Sequence, residues 1–313
     1  MKAVRIHSFG APDVMVLEDM PCPQPAAGEV LLRVAAAGVG PWDALVRKGQ
    51  SVLPQPLPLT PGSDVSGKVV GVGSGVAGIA PGEDFFGATN PSFTGGYAEY
   101  AVVKAAMVSR RPRRLSDVDA AAAPVVAVTA WQMLFEHAAA QRGQRILVLG
   151  AAGSVGACAV QLAIRAGAEV VGAGRGASLA YVRSLGAQAV DTTAPDFARS
   201  LAPVDAVIDT VGGPLQARAA TAVKPGGILV SSVSELDSRA AAAARIQSQF
   251  ILVDVNTRTL SQIGELMEAG LLTVRVGTVL PLAEARLAHE MLAGDRARPP
   301  GKIVLSVENP GGT

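Results

Sequence analysis

The sequence is poor in the residues that build metal clusters and disulfide frameworks, with two cysteines, Cys22 and Cys158, and three histidines in 313 residues. Two thiols make neither a four-thiolate zinc site nor a set of bridges, and their scarcity fits the reducing cytoplasm expected here. Aromatic residues are also scarce, at 4%, so any core has to be aliphatic and rich in alanine. Neither sign of charge dominates, since 27 Lys and Arg face 26 Asp and Glu. That balance gives no electrostatic reason to expect a nucleic acid or an anionic membrane as partner. The one basic run, Arg110-Arg111-Pro112-Arg113-Arg114, reads as a solvated loop. With 49% hydrophobic and 17% charged residues, intrinsic disorder is excluded.

Signals for secretion or membrane insertion are lacking too. The first residues, MKAVRIHSFG, alternate like a strand and have no apolar signal segment. One stretch imitates a membrane span, because 19 uncharged residues, ILVLGAAGSVGACAVQLAI, lie between Arg145 and Arg165. It opens on a short aliphatic run, breaks at three glycines and resumes with small residues. Strand, turn and buried helix are therefore expected, not a lipid-facing helix.

The length suits about two domains. Residues 1–120 read as β-rich: KAVRIH, EVLLRVAAAG, GKVVGVG and YAEYAVV are separated by Pro and Gly clusters, with no helical pattern of useful length among them. Antiparallel strands in a partly closed barrel are expected there. The acidic N-cap segment SDVDAAAA then leads through Pro124 into an apolar helix ending near His137. Residues 121–250 alternate strand and helix: RILVL with SVGACAVQLAIRA, EVVGA with SLAYVRSLG, DAVIDT with PLQARAATAV, then GILVSSV. Such alternation predicts a doubly wound parallel sheet with helices on both faces. Residues 251–313 mix the two patterns, from a strand FILVDV to a last strand GKIVLSV, and are expected to return to the first domain. The final NPGGT is expected to fray.

The strongest chemical signal is the segment Gly150, Ala151, Ala152, Gly153, Ser154, Val155, Gly156, directly after RILVL and opening the next helix. Small residues there let the backbone approach a pyrophosphate, whose charge is stabilised by the helix N-terminal amides. The competing readings are a tight turn without ligand and an adenosylmethionine-binding sheet. An NAD-specific site would carry an acid at the end of the second strand, about 20 residues on. Here Gly174, Arg175 and Gly176 stand there, followed by Ser178. With no acid to repel a phosphate and a guanidinium to bind one, NADPH is favoured over NADH.

These residues bring the chain close to a known family. It resembles the zinc-independent quinone oxidoreductase branch of the medium-chain dehydrogenase/reductase superfamily, the zeta-crystallin-like proteins. The likeness runs from MKAVRIHSFG to GKIVLSV and is carried by Gly40-Pro-Trp-Asp43, Pro61-Gly-Ser-Asp-Val-Ser-Gly67, Gly95-Gly-Tyr-Ala-Glu-Tyr100, Thr129-Ala-Trp131, the glycine turn, Asp205-Ala-Val-Ile-Asp-Thr-Val-Gly-Gly213 and Lys224-Pro-Gly-Gly227. It implies a GroES-like β-rich catalytic domain split around a Rossmann domain, a homodimer, and a small quinone or enone substrate. Zinc-dependent relatives place a Cys in the segment matching GVGPWD and a His-Glu pair at Gly62-Ser63-Asp64. This chain has neither, so no metal is expected. Without a Lewis acid, conjugated acceptors are favoured, because the charge arriving with a hydride delocalises onto a distant oxygen.

The resemblance also implies cofactor contacts at Thr129, at Thr210 and Val211, and at Ser231, Ser232 and Val233, with Arg175 and Ser178 in the 2′-phosphate loop. Thr192 stands where many relatives have a Tyr, which moderates the expected preference for NADPH. Gly40 stands where many have an Asn. Gly40, Trp42 and Phe93 are expected to line the acceptor pocket, Tyr97 is the candidate hydrogen-bond or proton donor, and Asp43 reads as a turn cap. The alternatives are an enoyl-thioester reductase, for which Arg47 with Lys48 would form a basic entrance, and a low-turnover NADPH-binding redox sensor or structural protein. His7, His137 and His289 are expected at the surface or at helix ends.

Overall fold

The computed structural model describes residues 1–53 and 55–307, so the expected fraying of NPGGT lies outside the described residues. The chain divides into two compact units, one formed by Met1–Val125 with Val255–Thr313 and the other by Val126–Asp254. The fold is the expected one, a GroES-like β-rich unit interrupted by a Rossmann-type parallel sheet.

In chain order, β1 (Lys2–Ile6) and β2 (Met15–Asp19) pair antiparallel. They are followed by β3 (Glu29–Val39), helix α1 (Pro41–Lys48), β4 (Asp64–Val72), β5 (Asp84–Ala88), β6 (Tyr100–Lys104) and β7 (Val108–Arg110). The acidic segment forms α2 (Asp117–Ala121), whose N-cap Ser116 accepts from the Asp119 amide. Helix α3 (Pro124–Trp131) runs on as a π-helical turn over Gln132–His137. Alternation then sets in: β8 (Arg145–Leu149), α4 (Ser154–Arg165), β9 (Glu169–Gly174), α5 (Ser178–Ser184), β10 (Gln188–Asp191), β11 (Val204–Asp209), α6 (Gly213–Ala220), β12 (Val223–Ser231), α7 (Ser238–Ala244) and β13 (Gln247–Phe250). The chain closes with α8 (Thr257–Glu268), β14 (Val276–Pro281), α9 (Ala285–Ala293) and β15 (Lys302–Ser306).

The second unit holds a parallel sheet in the order β10-β9-β8-β11-β12-β13. Its core is aliphatic, with Leu147, Leu149, Val171, Val207 and Leu229 inaccessible. In the first unit the order is β14-β15-β3-β4-β5-β7, with β6 also pairing β3. The 11-residue β3 therefore serves three partners. The stretch that imitated a membrane span is β8, the glycine turn and α4, and no helix among the described residues is long and apolar enough to cross a membrane.

Three local expectations are corrected. A helix, α1, does interrupt the β-rich region: Pro41 suits its first turn, and Asp43 accepts from the Gly40 amide to cap it. The strand expected over FILVDV ends at Phe250, because its parallel partner β12 ends at Ser231. The basic run is partly structured, as Arg110 belongs to β7 and pairs with Glu83, while Arg111 reaches Asp84 and Asp117.

Candidate functional site

Strand order in the parallel sheet reverses between β8 and β11, which leaves a crevice at their carboxyl ends. The glycine segment lies at that point. Gly150 follows β8 with φ +69°, and a Cβ there would lie 2.5 Å from Thr210 Oγ1. A Cβ on Gly156 would strike the Gly150 carbonyl, so helix α4 can start tight against the strand only with glycine at this position. Gly153 is the N-cap, and the amides of Ser154, Val155 and Gly156 open the helix without intrahelical acceptors. Ala151 is buried, with its amide bonded to the Ala173 carbonyl; Ala152 lies at the turn. This end of the helix presents donors and positive dipole, which suits an anion.

Neighbouring strand ends carry nearly all the other candidates of this unit. Thr210 follows β11 and donates to the Leu149 carbonyl at 2.7 Å, joining the ends of β8 and β11. Val211 is 45% exposed beside it, and Val233, beyond the end of β12, is 48% exposed. Ser231 is buried and Ser232 donates its amide to the Asp209 carbonyl at 3.1 Å. At the end of β9, Gly174, Arg175 and Ser178 form a compact turn in which the Ser178 hydroxyl bonds both the amide and the carbonyl of Arg175. Ser178 is thus occupied in shaping the loop, whereas the exposed Arg175 guanidinium has no hydrogen bond or ion pair among the described residues. Thr192 turns inward: it is buried, and its hydroxyl and amide both reach the Gly174 carbonyl. Thr129 lies on α3, away from the strand ends in sequence, and is buried.

The first unit gathers the remaining candidates. Gly40 and Trp42 sit at the start of α1, and the Trp42 and Phe93 rings meet edge to face with centroids 5.7 Å apart. Tyr97 is inaccessible, and its hydroxyl donates to Asp43 Oδ2 at 3.0 Å. His289, on α9, lies 3.4 Å from the same hydroxyl through Nε2 and is fully buried, which corrects its expected placement at a surface or helix end. Ala285, Ala288 and His289 are the buried side of α9, and that i, i+3, i+4 spacing was the available signal. Arg47 is also buried, donating to the Gly10 carbonyl, so it cannot form the basic entrance suggested for a thioester.

Electrostatics follow from this burial. Loss of water lifts Asp43 to about 7, against the opposing pull of the Gly40 amide and Lys302. The same desolvation lowers His289 to about 3, helped by the Arg47 charge. It also raises Tyr97 well above its ordinary value, with Asp43 adding to the effect. These three groups are neutral or poised near neutrality in an interior that penalises charge.

A zinc ion does not fit the residues present. Asp64 uses both oxygens, accepting from Lys302 Nζ at 2.9 Å and from the Val125 amide at 2.8 Å. A Cβ on Gly40 would lie 3.4 Å from the same Lys302 ammonium, so a fixed cation already stands beside both positions. Among the described residues no group of three or more His, Cys, Asp or Glu side chains could hold a metal.

Comparison with known proteins agrees with this layout. Residues 26–113 match the alcohol dehydrogenase GroES-like domain, and residues 185–305 match the family described as zinc-binding dehydrogenase. The chain is 36% identical to 2-methylene-furan-3-one reductase of Solanum lycopersicum over 74% of its own length and 61% of that protein. It is 31% identical to quinone oxidoreductase of Lama guanicoe over 97% of both. Some matches are partial: only about six-tenths of the tomato protein and 52% of human quinone oxidoreductase are spanned. Among solved structures, quinone oxidoreductase from Coxiella burnetii superposes with a TM-score of 0.91 at 31% identity, covering 98% of this chain and 99% of that one. A mycobacterial protein solved with NADPH gives 0.88 at 27% identity over 98% and 100%.

Proposed function

We propose that this chain, which belongs to the quinone oxidoreductase family of the medium-chain dehydrogenase/reductase superfamily, is an NADPH-dependent reductase of quinones or α,β-unsaturated carbonyls. The observation that carries the reading is the glycine turn at the point where strand order reverses, with the candidate contacts on the adjoining strand ends. The amides of Ser154, Val155 and Gly156 would hold the pyrophosphate. Arg175 would hold the 2′-phosphate and is the main source of preference for NADPH, since Thr192 and Ser178 are committed to backbone partners. When bound, the nicotinamide supplies a hydride; the residues of this chain orient it and exclude water.

Substrate class is supported by two relatives whose names specify a quinone and a 2-methylene-furan-3-one, both carbonyls conjugated to a carbon–carbon double bond. The Trp42–Phe93 pair would offer a flat acceptor an aromatic wall beside Gly40. The Tyr97 hydroxyl is bonded to Asp43, and the proton that completes reduction would come from solvent. We further propose a cytoplasmic homodimer.

The test mixes the purified protein with NADPH or NADH and follows nucleotide oxidation against 1,4-benzoquinone, 9,10-phenanthrenequinone, a 2-alkenal, an enone and crotonyl-CoA. NADPH-selective turnover of a quinone or enone is expected. Tight binding with no turnover, or preference for crotonyl-CoA, would replace the reading, and failure to bind either nucleotide would overturn it.

A further inference from the structure

Asp209, the last residue of β11, is completely buried and uses both carboxylate oxygens at the sheet's carboxyl edge. Its Oδ1 accepts from the amides of Val211 and Gly212, each at 2.9 Å. Its Oδ2 accepts from the Ser231 hydroxyl at 2.7 Å. Ser231, itself 1% exposed, in turn accepts from the amides of Val233 and Ser234 at 3.1 and 3.3 Å. One carboxylate therefore organises the turn after β11 directly and the turn after β12 through a single hydroxyl.

What the two turns present is unusual for such a well-fixed framework. Val211 and Val233 are the apolar residues whose amides are held, yet their side chains are about half exposed. Both lie against neighbouring glycines: a Cβ on Gly150 would come within 2.9 Å of Val211 Cγ2, and one on Gly212 within 2.8 Å of Val233 Cγ1. Exposed apolar groups held rigidly at the edge of a crevice suit a flat, weakly polar ring. Burial of a carboxylate is costly unless its acceptors are filled, and here the filled acceptors fix the loops.

We infer that Asp209 and Ser231 form a positioning pair that holds Val211 and Val233 as an apolar edge for the nicotinamide half of the dinucleotide. This rests on the nucleotide site proposed above. Asp209→Asn should act mainly on the β12 turn. Its carbonyl can still accept from Val211 and Gly212, but its NH2 would face a hydroxyl oxygen already accepting two amides. Ser231→Ala reaches the same turn from the other side.

The experiment measures dissociation constants of NADPH, by its fluorescence, and of adenosine 2′,5′-bisphosphate, by calorimetry, for wild type, Asp209→Asn, Ser231→Ala and the double variant. NADPH binding is expected to weaken tenfold or more in each single variant, with no further loss in the double variant, because the two act as one unit. Affinity for the bisphosphate, which lacks the nicotinamide, should stay within twofold; that preserved affinity also reports a folded sheet. Stopped turnover assays should show the loss in the NADPH KM before kcat. If wild type binds neither ligand, the nucleotide site itself is wrong. If wild type binds both and the variants keep NADPH affinity, or lose both ligands equally, the positioning pair is wrong. Should Asp209→Asn fail to fold, Ser231→Ala alone decides by the same criteria.

Discussion

In the β3-centred unit, Asp43, Arg47, Tyr97 and His289 are buried, and Asp43 Oδ1, Arg47 Nε and Nη2, and His289 Nδ1 have no hydrogen-bond partner among the described residues. In the parallel-sheet unit Asp209 is just as deeply buried, yet three donors meet it from three different residues. The same side-chain chemistry thus yields two kinds of site. A carboxylate surrounded by directed donors is a fixed joint, because its desolvation is offset by charge-assisted bonds. A carboxylate left with an open oxygen has fewer bonds to offset its loss of water, and burial lifts Asp43 to about 7. The first is suited to holding loops; the second gives the β-rich unit buried groups whose individual contributions to stability change with pH.

The largest expected effect breaks the ion pair that anchors the polar cluster. Lys302→Met leaves Asp64 buried without its cation, and loss of one partner of a buried pair costs about 3–5 kcal/mol. Denaturant unfolding should show that loss. A destabilisation below about 1 kcal/mol would mean that solvent reaches the site.

Next in size are two opposed pH dependences. Asp43 keeps its proton in the folded protein to about 7 but loses it near 3.8 when unfolded, so its contribution falls as pH rises across that window. His289 titrates near 6.5 unfolded and about 3 folded, so its contribution is lost as pH falls from 6.5 toward 3. Each slope is about 1.4 kcal/mol per pH unit at most, and the two oppose one another between these limits. Wild-type stability should therefore change little between about pH 4.5 and 6, within the opposing windows of Asp43 and His289. Asp43→Asn should lose stability on acidification, and His289→Gln should gain it. Parallel curves for all three proteins would remove the opposition.

Smaller still is Ser231→Ala, which strands the Val233 and Ser234 amides and should cost about 1–3 kcal/mol in unfolding experiments. A larger loss than that of Lys302→Met would invert the comparison between the units. The smallest effect on folding belongs to Arg175→Ala. Its guanidinium is exposed, so stability should stay within about 0.5 kcal/mol. Affinity for NADPH should fall roughly tenfold while that for NADH holds, which a pair of binding titrations would show.

Much of the sheet unit was legible because its signals are local. The run RILVL, the glycine turn and the small-residue helix lie within 21 residues of each other, and each has its own steric reason. Short β10, whose sequence is QAVD, has no apolar run and becomes a strand only by pairing with β9. The polar cluster was less legible for a different reason. Asp64 and Lys302 meet across 238 positions, and nothing in either local pattern names the other. Likewise Tyr97 could be singled out as a polar aromatic, but its bond to Asp43 depends on how the loop before β6 packs onto α1. Packing decided these partners, and short-range patterning does not encode packing.

The three-partner strand β3 has a consequence for how the protein is made. Its last residues pair with β15, so Val39 meets Ile303 and Ala36 meets Ser306. On the ribosome, those positions of β3 emerge long before their complement has been translated. The unit Val126–Asp254 is one continuous stretch of chain, translated in full before β15, and a domain of this kind can fold as it emerges. During that interval the unfinished sheet exposes an unpaired edge, the state in which nascent chains are most prone to associate wrongly.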